Sequence, residues 1–404
     1  MQQTQSEPIP RQQLGEGGLL ALLALLSAFI PLSTDMYLPA LPTMVEALHS
    51  QKELVNLTLV LFFLFYSLGT LLWGPLSDKY GRKPTLLCGL ALYIVASIYC
   101  ACAGNVYQLI IARVLQAIAG GASPAIATAL VKDLFHGRKR ERGLVLIQSM
   151  VMIAPIIAPL IGSLLLKFIS WHGIFYTLAG FGVVALLWSL ALRETVVERF
   201  DGSIFQTLGQ LGAVLKNPGF TVLLIIFSLI ISPLYTYLAA SSYIYEKEFG
   251  LSELQYSYYF VCNAMSAVLA PFIYLFLTRH VKSYAIISGC FVMMIVSGAL
   301  ICTLGHLQPW VLALCIIPGT VTMGVIRPPS THLLLEQQQF ATGSASALII
   351  CAMSIVGSLG MLMMSWNWRS MIIPLGLVHV TAGVVSGALW LLLSRRPFIK
   401  HPTG

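Results

Sequence analysis

Gly74-Pro-Leu-Ser-Asp-Lys-Tyr-Gly-Arg-Lys-Pro84 is a compact charged turn set between two apolar runs, 54–73 and 85–103, neither of which contains a charged residue. At 1.5 Å of rise per residue, about 20 apolar residues cross a hydrocarbon core of about 30 Å, so each run is long enough to span a bilayer. Barrel strands alternate apolar and polar positions over about 10 residues, whereas these runs stay apolar for about twice that length. The runs therefore read as helices, and the turn reads as a hinge between two membrane crossings.

The rest of the chain agrees. It is 57% hydrophobic and 9% charged, against about 25% charged in ordinary globular proteins. Hydropathy places about twelve spans, at 19–38, 53–73, 85–103, 107–131, 144–166, 173–192, 220–241, 254–277, 284–304, 309–327, 343–365 and 371–393. The fold class is an all-α membrane protein of twelve transmembrane helices in two six-helix bundles. The longest internal polar segment follows span six and divides the chain. The expected organisation is a tail 1–16, a first bundle 17–193, a central loop 194–217, a second bundle 218–393 and a tail 394–404. No small-x-small cleavage site follows the first span, so it is expected to be retained rather than removed as a signal.

Lys and Arg set the expected orientation. With the N-terminus inside, the cytoplasmic loops and tails carry Arg11, Lys79, Arg82, Lys83, Lys132, Arg138, Lys139, Arg140, Arg142, Arg193, Arg199, Lys216, Arg279, Lys282, Arg327, Arg395, Arg396 and Lys400. The opposite side holds only Lys52, Lys167, Lys247 and Arg369. This bias places both termini in the cytoplasm. It also accounts for the net charge of +8, so the basic run His136-Gly-Arg-Lys-Arg-Glu-Arg142 needs no nucleic-acid partner. The eight cysteines sit singly in apolar runs or, for Cys100 and Cys102, on different helix faces. They read as free thiols with no metal site. No nucleotide-binding Gly-x-x-x-x-Gly-Lys-Ser/Thr loop occurs, no cofactor is implied, and clusters suited to a membrane enzyme are absent.

The hinge resembles the signature loop of the major facilitator superfamily, and it lies where that loop lies, between the second and third spans. Three further stretches are similar to the Bcr/CflA branch of bacterial drug:proton antiporters. They are Thr34-Asp-Met-Tyr-Leu-Pro-Ala-Leu-Pro42 in span one, Arg113-Val-Leu-Gln116 with Gly120-Gly121 in span four, and Ala154-Pro-Ile-Ile-Ala-Pro-Leu-Ile-Gly162 in span five. The resemblance implies a monomer in the bacterial inner membrane that exports small amphipathic drugs, of the bicyclomycin or chloramphenicol kind, in exchange for protons by alternating access. A proton-coupled metabolite uptake permease of the same fold is the alternative. A non-transporting membrane receptor is a third class, and it predicts that Asp35→Asn leaves function intact.

Within the hinge, Gly74 and Gly81 permit a tight turn and close helix approach, and Asp78 is placed to pair with Arg82. In the family the loop latches the two halves, and its partner acid at the end of span four corresponds to Asp133; Lys83 completes the basic side. The other reading is a plain turn whose Lys and Arg only fix topology. Asp35 is a carboxylate well inside a span, where ionisable groups are costly. Burial disfavours its charged form, which makes it a candidate to take a proton from one side and release it to the other. It could instead cap the Pro39–Pro42 turn. Some relatives carry a second acid two turns earlier; Ser27 stands there, which puts a two-carboxylate mechanism in doubt.

Arg113 is expected at a similar depth and is the natural partner of Asp35, or else a structural arginine bonded to carbonyls or Gln116. Pro155 and Pro159, spaced i,i+4, bend one face of span five, with Gly162 on the same motif; alanines and Ser163 replace several glycines of the family pattern. Tyr37, Phe62, Tyr66, Gln116, Met150, Tyr235 and Asn263 are candidates to line a substrate cavity, with packing as the plain alternative. The tyrosines nearest the outer end of spans seven and eight read as an interfacial belt. His379 reads as a core histidine, and His332 with Glu336 as a loop face.

Overall fold

The computed structural model describes residues 13–196, 211–338, 342–394 and 396–399. Arg11, Arg199, Arg395, Lys400 and most of the expected central loop lie outside the described residues. Among the described residues, twelve helices are long and apolar enough to cross a membrane. They are α1 (Glu16–Ala47), α2 (Lys52–Tyr80), α3 (Arg82–Ala101), α4 (Val106–Leu134), α5 (Gly137–Leu166), α6 (Trp171–Leu190), α7 (Pro218–Glu248), α8 (Glu253–Leu277), α9 (Ser283–Leu304), α10 (Pro309–Glu336), α11 (Ser344–Met364) and α12 (Ile372–Leu393).

Several helices run past the spans that hydropathy defines. α5 begins at Gly137, seven residues earlier than its apolar run, and α10 reaches Glu336, so His332 and Glu336 are helical rather than in a loop. The charged residues that end a hydropathy window, Lys, Arg and Glu, are themselves good helix formers, so the helix continues where the apolar run stops. Three of the twelve are broken internally. α1 is helical over Glu16–Asp35, turns through a 3₁₀ segment at Leu38–Ala40 and resumes over Leu41–Ala47. Pro39 and Pro42 sit in the first turns of the two later pieces, where a missing N–H costs nothing. α4 bends at Gly121 and α7 at Ile230–Ile231.

The packing repeats. In the first six helices the principal neighbours are α1 with α5, α2 with α4 and α3 with α6; in the second six they are α7 with α11, α8 with α10 and α9 with α12. Adding six to each number converts one set into the other. The two most extensive pairings between the halves, α2 with α11 and α5 with α8, exchange under the same rule. This is the pseudo-twofold arrangement of two six-helix bundles.

The buried apolar side chains fall into three groups. One collects at the end where α1 finishes and α2 begins, and it runs without interruption from Met36, Leu59 and Phe175 of the first half to Tyr245, Phe260 and Ile316 of the second. At the other end, which carries the start of α1 and the end of α12, each half keeps its own group. We call this the basic end. The halves thus share one group at the far end and keep separate groups at the basic end, and a groove of about 500 Å³ runs along α5 beside Arg138, Arg142 and Ser149. Ties across the far end include the Phe63–Tyr235 ring contact, centroids 4.6 Å apart, and the Lys247–Glu46 ion pair.

Candidate transport site

Asp35 is the last residue of the first helical piece of α1 and is buried. The hydropathy span 19–38 ends three residues after it; the structure adds a 3₁₀ turn and a further helical piece beyond it, so it lies deeper than that span implies. Its recorded bond is from the Thr34 hydroxyl, at 2.8 Å. Arg113, on α4, is fully buried, and its Nη1 donates to the Ser33 carbonyl at 3.1 Å and to Gln116 Oε1 at 2.6 Å. Three aromatic faces surround the guanidinium: Phe62 at 4.0 Å, Tyr37 at 4.5 Å and Phe175 at 5.7 Å. Nε and Nη2 make no hydrogen bond of ordinary geometry, although the Tyr37 hydroxyl interacts with the guanidinium.

The expected Asp35–Arg113 ion pair is absent. The four ion pairs among the described residues are Arg82 with Asp78 and with Asp133, Lys139 with Glu16, and Lys247 with Glu46. Arg113 instead makes the bonds of the alternative reading, to a backbone carbonyl and to Gln116; the carbonyl is that of Ser33, two residues before Asp35 on the same helix. Cation–π contacts contribute about 0.5–2 kcal/mol each, while burying a charge without a counter-charge costs several kcal/mol. The arginine therefore retains an unmet demand for acceptors, while the carbonyl it bonds lies two residues before Asp35 on α1.

Behind it runs a polar chain through the first half. Gln116 Nε2 donates to Ser97 Oγ at 2.8 Å, Ser97 bonds the Tyr93 carbonyl at 2.7 Å, and the Tyr93 hydroxyl meets Ser33 Oγ at 2.5 Å. Ser33, Tyr93 and Ser97 were not singled out from the sequence, because single hydroxyls in an apolar run usually bond their own helix.

The candidate cavity residues do not form one open pocket. Tyr37, Phe62 and Gln116 are closed into the core around Arg113, and Tyr37 bonds Thr58 Oγ1 at 2.8 Å. Tyr66 stacks on Phe62 at 6.5 Å and stays partly exposed. Tyr235 packs on Phe63 across the halves, Asn263 accepts from Thr320 within the second half at 2.7 Å, and Met150 is next to the groove residue Ser149 on α5.

The hinge forms a bonded knot at the basic end. Arg82 pairs with Asp78, donates through Nε to Asp133 at 2.9 Å and bonds Ser77 Oγ at 2.7 Å. Gly81 has φ of 106°, a backbone state that favours glycine. Gly74 does not make the close approach expected of it: it lies inside α2 with nothing within 4 Å of where a Cβ would stand. Glu194, missed from sequence, caps α3 by accepting from the backbone N–H groups of Arg82 at 2.8 Å and Lys83 at 3.1 Å. The Lys83 ammonium bonds the Leu190 carbonyl at 2.7 Å. All of these contacts lie within the first half and the start of the central loop, and none reaches the second half.

α5 stays one helix through Pro155 and Pro159. The Pro159 carbonyl accepts from Ser257 of α8 at 3.0 Å, a bond between the halves. Gly162 lies against α1 so closely that a Cβ would stand 1.8 Å from the Met36 carbonyl oxygen. The tyrosines expected as an interfacial belt are a correction: Tyr243, Tyr245 and Tyr256 are buried between the halves, and Tyr258 is exposed. His379 is a core histidine bonded to the Leu375 carbonyl. The eight cysteines are unpaired, and no metal-binding cluster occurs among the described residues.

Comparison with known proteins fits this architecture. A family model described as Major Facilitator Superfamily matches residues 23–361. The chain is 30% identical over 400 residues to a Bacillus subtilis protein named "Uncharacterized MFS-type transporter YdgK", covering 96% of this chain and 98% of that one. It is 28% identical to a Pseudomonas aeruginosa "Chloramphenicol resistance protein", covering 91% and 89%. Among solved structures, a peptide transporter POT in complex with sulfate superposes with a TM-score of 0.77 over 96% of this chain and 98% of that chain, at 13% identity, a likeness of fold alone. The chain belongs to the major facilitator superfamily: it is a multi-pass membrane transporter of small molecules, not an enzyme.

Proposed function

We propose that this transporter exports small amphipathic drugs, of the chloramphenicol and bicyclomycin kind, across the bacterial inner membrane in exchange for protons. Asp35 carries the proton, and Arg113 controls it by moving between the Ser33 carbonyl and the Asp35 carboxylate. The observation that carries this reading is a buried arginine with two nitrogens that make no hydrogen bond of ordinary geometry, held two residues along α1 from a buried carboxylate. A structural arginine would have its donors matched. Both termini lie in the cytoplasm on this reading, so the basic end faces inward and the chain is in an inward-open state.

The cycle follows. Drug enters from the basic end while Asp35 is ionised; the halves rock about α2–α11 and α5–α8; drug leaves on the far side and a proton binds Asp35; the return exposes that proton to the cytoplasm. The hinge knot of Gly81, Asp78, Arg82, Lys83 and Asp133 is the latch that engages the second half when the basic end closes. The driving force suffices, since one charge moving down 100 mV yields about 2.3 kcal/mol, roughly a 50-fold concentration ratio. The transporter works as a monomer.

Accumulation of labelled chloramphenicol in cells tests the direction. Expression is expected to lower the intracellular level, and Asp35→Asn to restore it. A raised level in the expressing cells would replace export by uptake.

A further inference from the structure

The far end of α7 departs from α-helix: Tyr243–Glu248 is a π-helical turn, a rare geometry that concentrates at functional sites. The turn carries three ionic side chains in a row, and two of them have partners. Lys247 pairs with Glu46 of α1, and Glu248 accepts from the hydroxyl and backbone N–H groups of Ser370 and Met371, both at 2.7 Å. Glu246 has none: the residue is half-buried, and its Oε1 is shut away from solvent without a bonded donor.

Its surroundings share the deficit. The hydroxyl groups of Ser242, Tyr243 and Tyr245 on the same helix are buried without partners. So is Asn56 on α2, whose amide leaves both oxygen and nitrogen unbonded. Asn56 lies seven residues outward from Phe63, on the same helix face, and Phe63 packs on Tyr235 of α7. Tyr243 lies eight residues outward from Tyr235. The two unpartnered stretches are therefore level with each other, on either side of the line where the halves meet.

The charges around Glu246 are mainly unfavourable to a second anion. On its own helix the one cation, Lys247, is taken by Glu46 of α1. Glu253 of α8 is within electrostatic reach. Glu53 of α2 reaches the same site through Tyr243, with Lys52 beside it. From α8, Tyr256 and Tyr259 contribute rings rather than charge. A carboxylate oxygen closed off from water, with no donor and with Glu253 within electrostatic reach, is costly, and a neutral carboxyl avoids that cost.

We propose that Glu246 is a proton-binding site of the outer gate, separate from Asp35: the line between the halves closes around its neutral acid and opens around its carboxylate. On closing, the carboxylate takes one proton from water on that side and forms an O–H bond; on opening, water reaches the site and the proton returns to the same side. The site therefore sets the position of the gate without adding to the protons carried across. Closure binds a proton, so falling pH at the far end favours the closed gate and rising pH opens it. The inference needs no particular substrate, and it survives or fails apart from the export reading.

The test uses the whole protein in lipid nanodiscs. Ser242→Cys places a thiol in the closed line, and labelling by a polar maleimide reports opening. The rate is measured from pH 5 to pH 9 with and without Glu246→Gln, and the ratio of the two removes the thiol's own titration and that of Asp35. The ratio is expected to start near one and to rise with pH by up to about tenfold per unit, as a single proton requires. Glu246→Asp should keep the rise. A flat ratio overturns the proposal, whether Glu246→Gln or Glu246→Ala supplies the reference. Should the glutamine form fail to reconstitute, the alanine form supplies the reference.

Discussion

Gly162→Ala tests the packing that positions Asp35. The added methyl would stand 1.8 Å from the carbonyl oxygen of Met36, a backbone atom that cannot rotate away. Ordinary contact needs about 3.4 Å or more, so α1 and α5 must separate by roughly 1.5 Å or shear. Forced overpacking of this kind costs about 1–3 kcal/mol. At about 2–4 °C per kcal/mol for a unit of this size, the melting temperature should fall by about 2–12 °C. Met36 follows Asp35 directly, so the same shift displaces the carboxylate and should slow proton-coupled transport more than the stability loss explains. The control is Gly74→Ala, in the hinge motif but with open space around it, which should melt within about 1 °C of the parent. Thermal unfolding in detergent, followed by transport at a temperature where both proteins are folded, reads both effects. A Gly162→Ala protein that melts and transports like the parent would refute the close approach of α1 and α5.

Two further outcomes follow from the bonding. Arg113→Met removes a buried cation that has no counter-charge, so the melting temperature should hold or rise while proton-coupled transport is lost; a large fall in melting temperature would show that the aromatic faces and two acceptors outweigh the cost of burial. Glu194→Ala strips the cap from the first two N–H groups of α3 and should cost about 0.5–2 kcal/mol, read as a lower melting temperature, with no change if those groups find water instead.

The sequence made the twelve crossings legible because a charge-free run of membrane length leaves the backbone one way to satisfy its hydrogen bonds in lipid. Asp35, Arg113 and the hinge stood out for the related reason that a charge inside or beside such a run needs explaining. Partnership was not legible. Matching Asp35 and Arg113 by depth says nothing of the direction each side chain takes around its helix, and the arginine turns to a backbone carbonyl that no sequence pattern marks. The tyrosines of α7 show a second limit. An aromatic in contact with lipid headgroups and one held between two bundles look alike along the chain, so a belt was expected where the halves close. Glu194 and Glu246 were hidden by the same signal that marks loops, since each follows an apolar run among other polar residues. One caps a helix in another part of the chain, and the other is drawn inward by a π-helical turn, and both depend on contacts more than 60 residues away or on the meeting of the two halves.

The account rests on Asp35 as the proton carrier, and the direct measurement is proton movement in proteoliposomes holding an internal pH dye, with the parent and Asp35→Asn side by side. Addition of chloramphenicol, bicyclomycin or a lipophilic cation to the parent should trigger a pH change with at least one of them, and the asparagine form should stay silent with all three while retaining the parent's melting temperature. Equal proton movement in both proteins would contradict the central claim and remove Asp35 from the coupling.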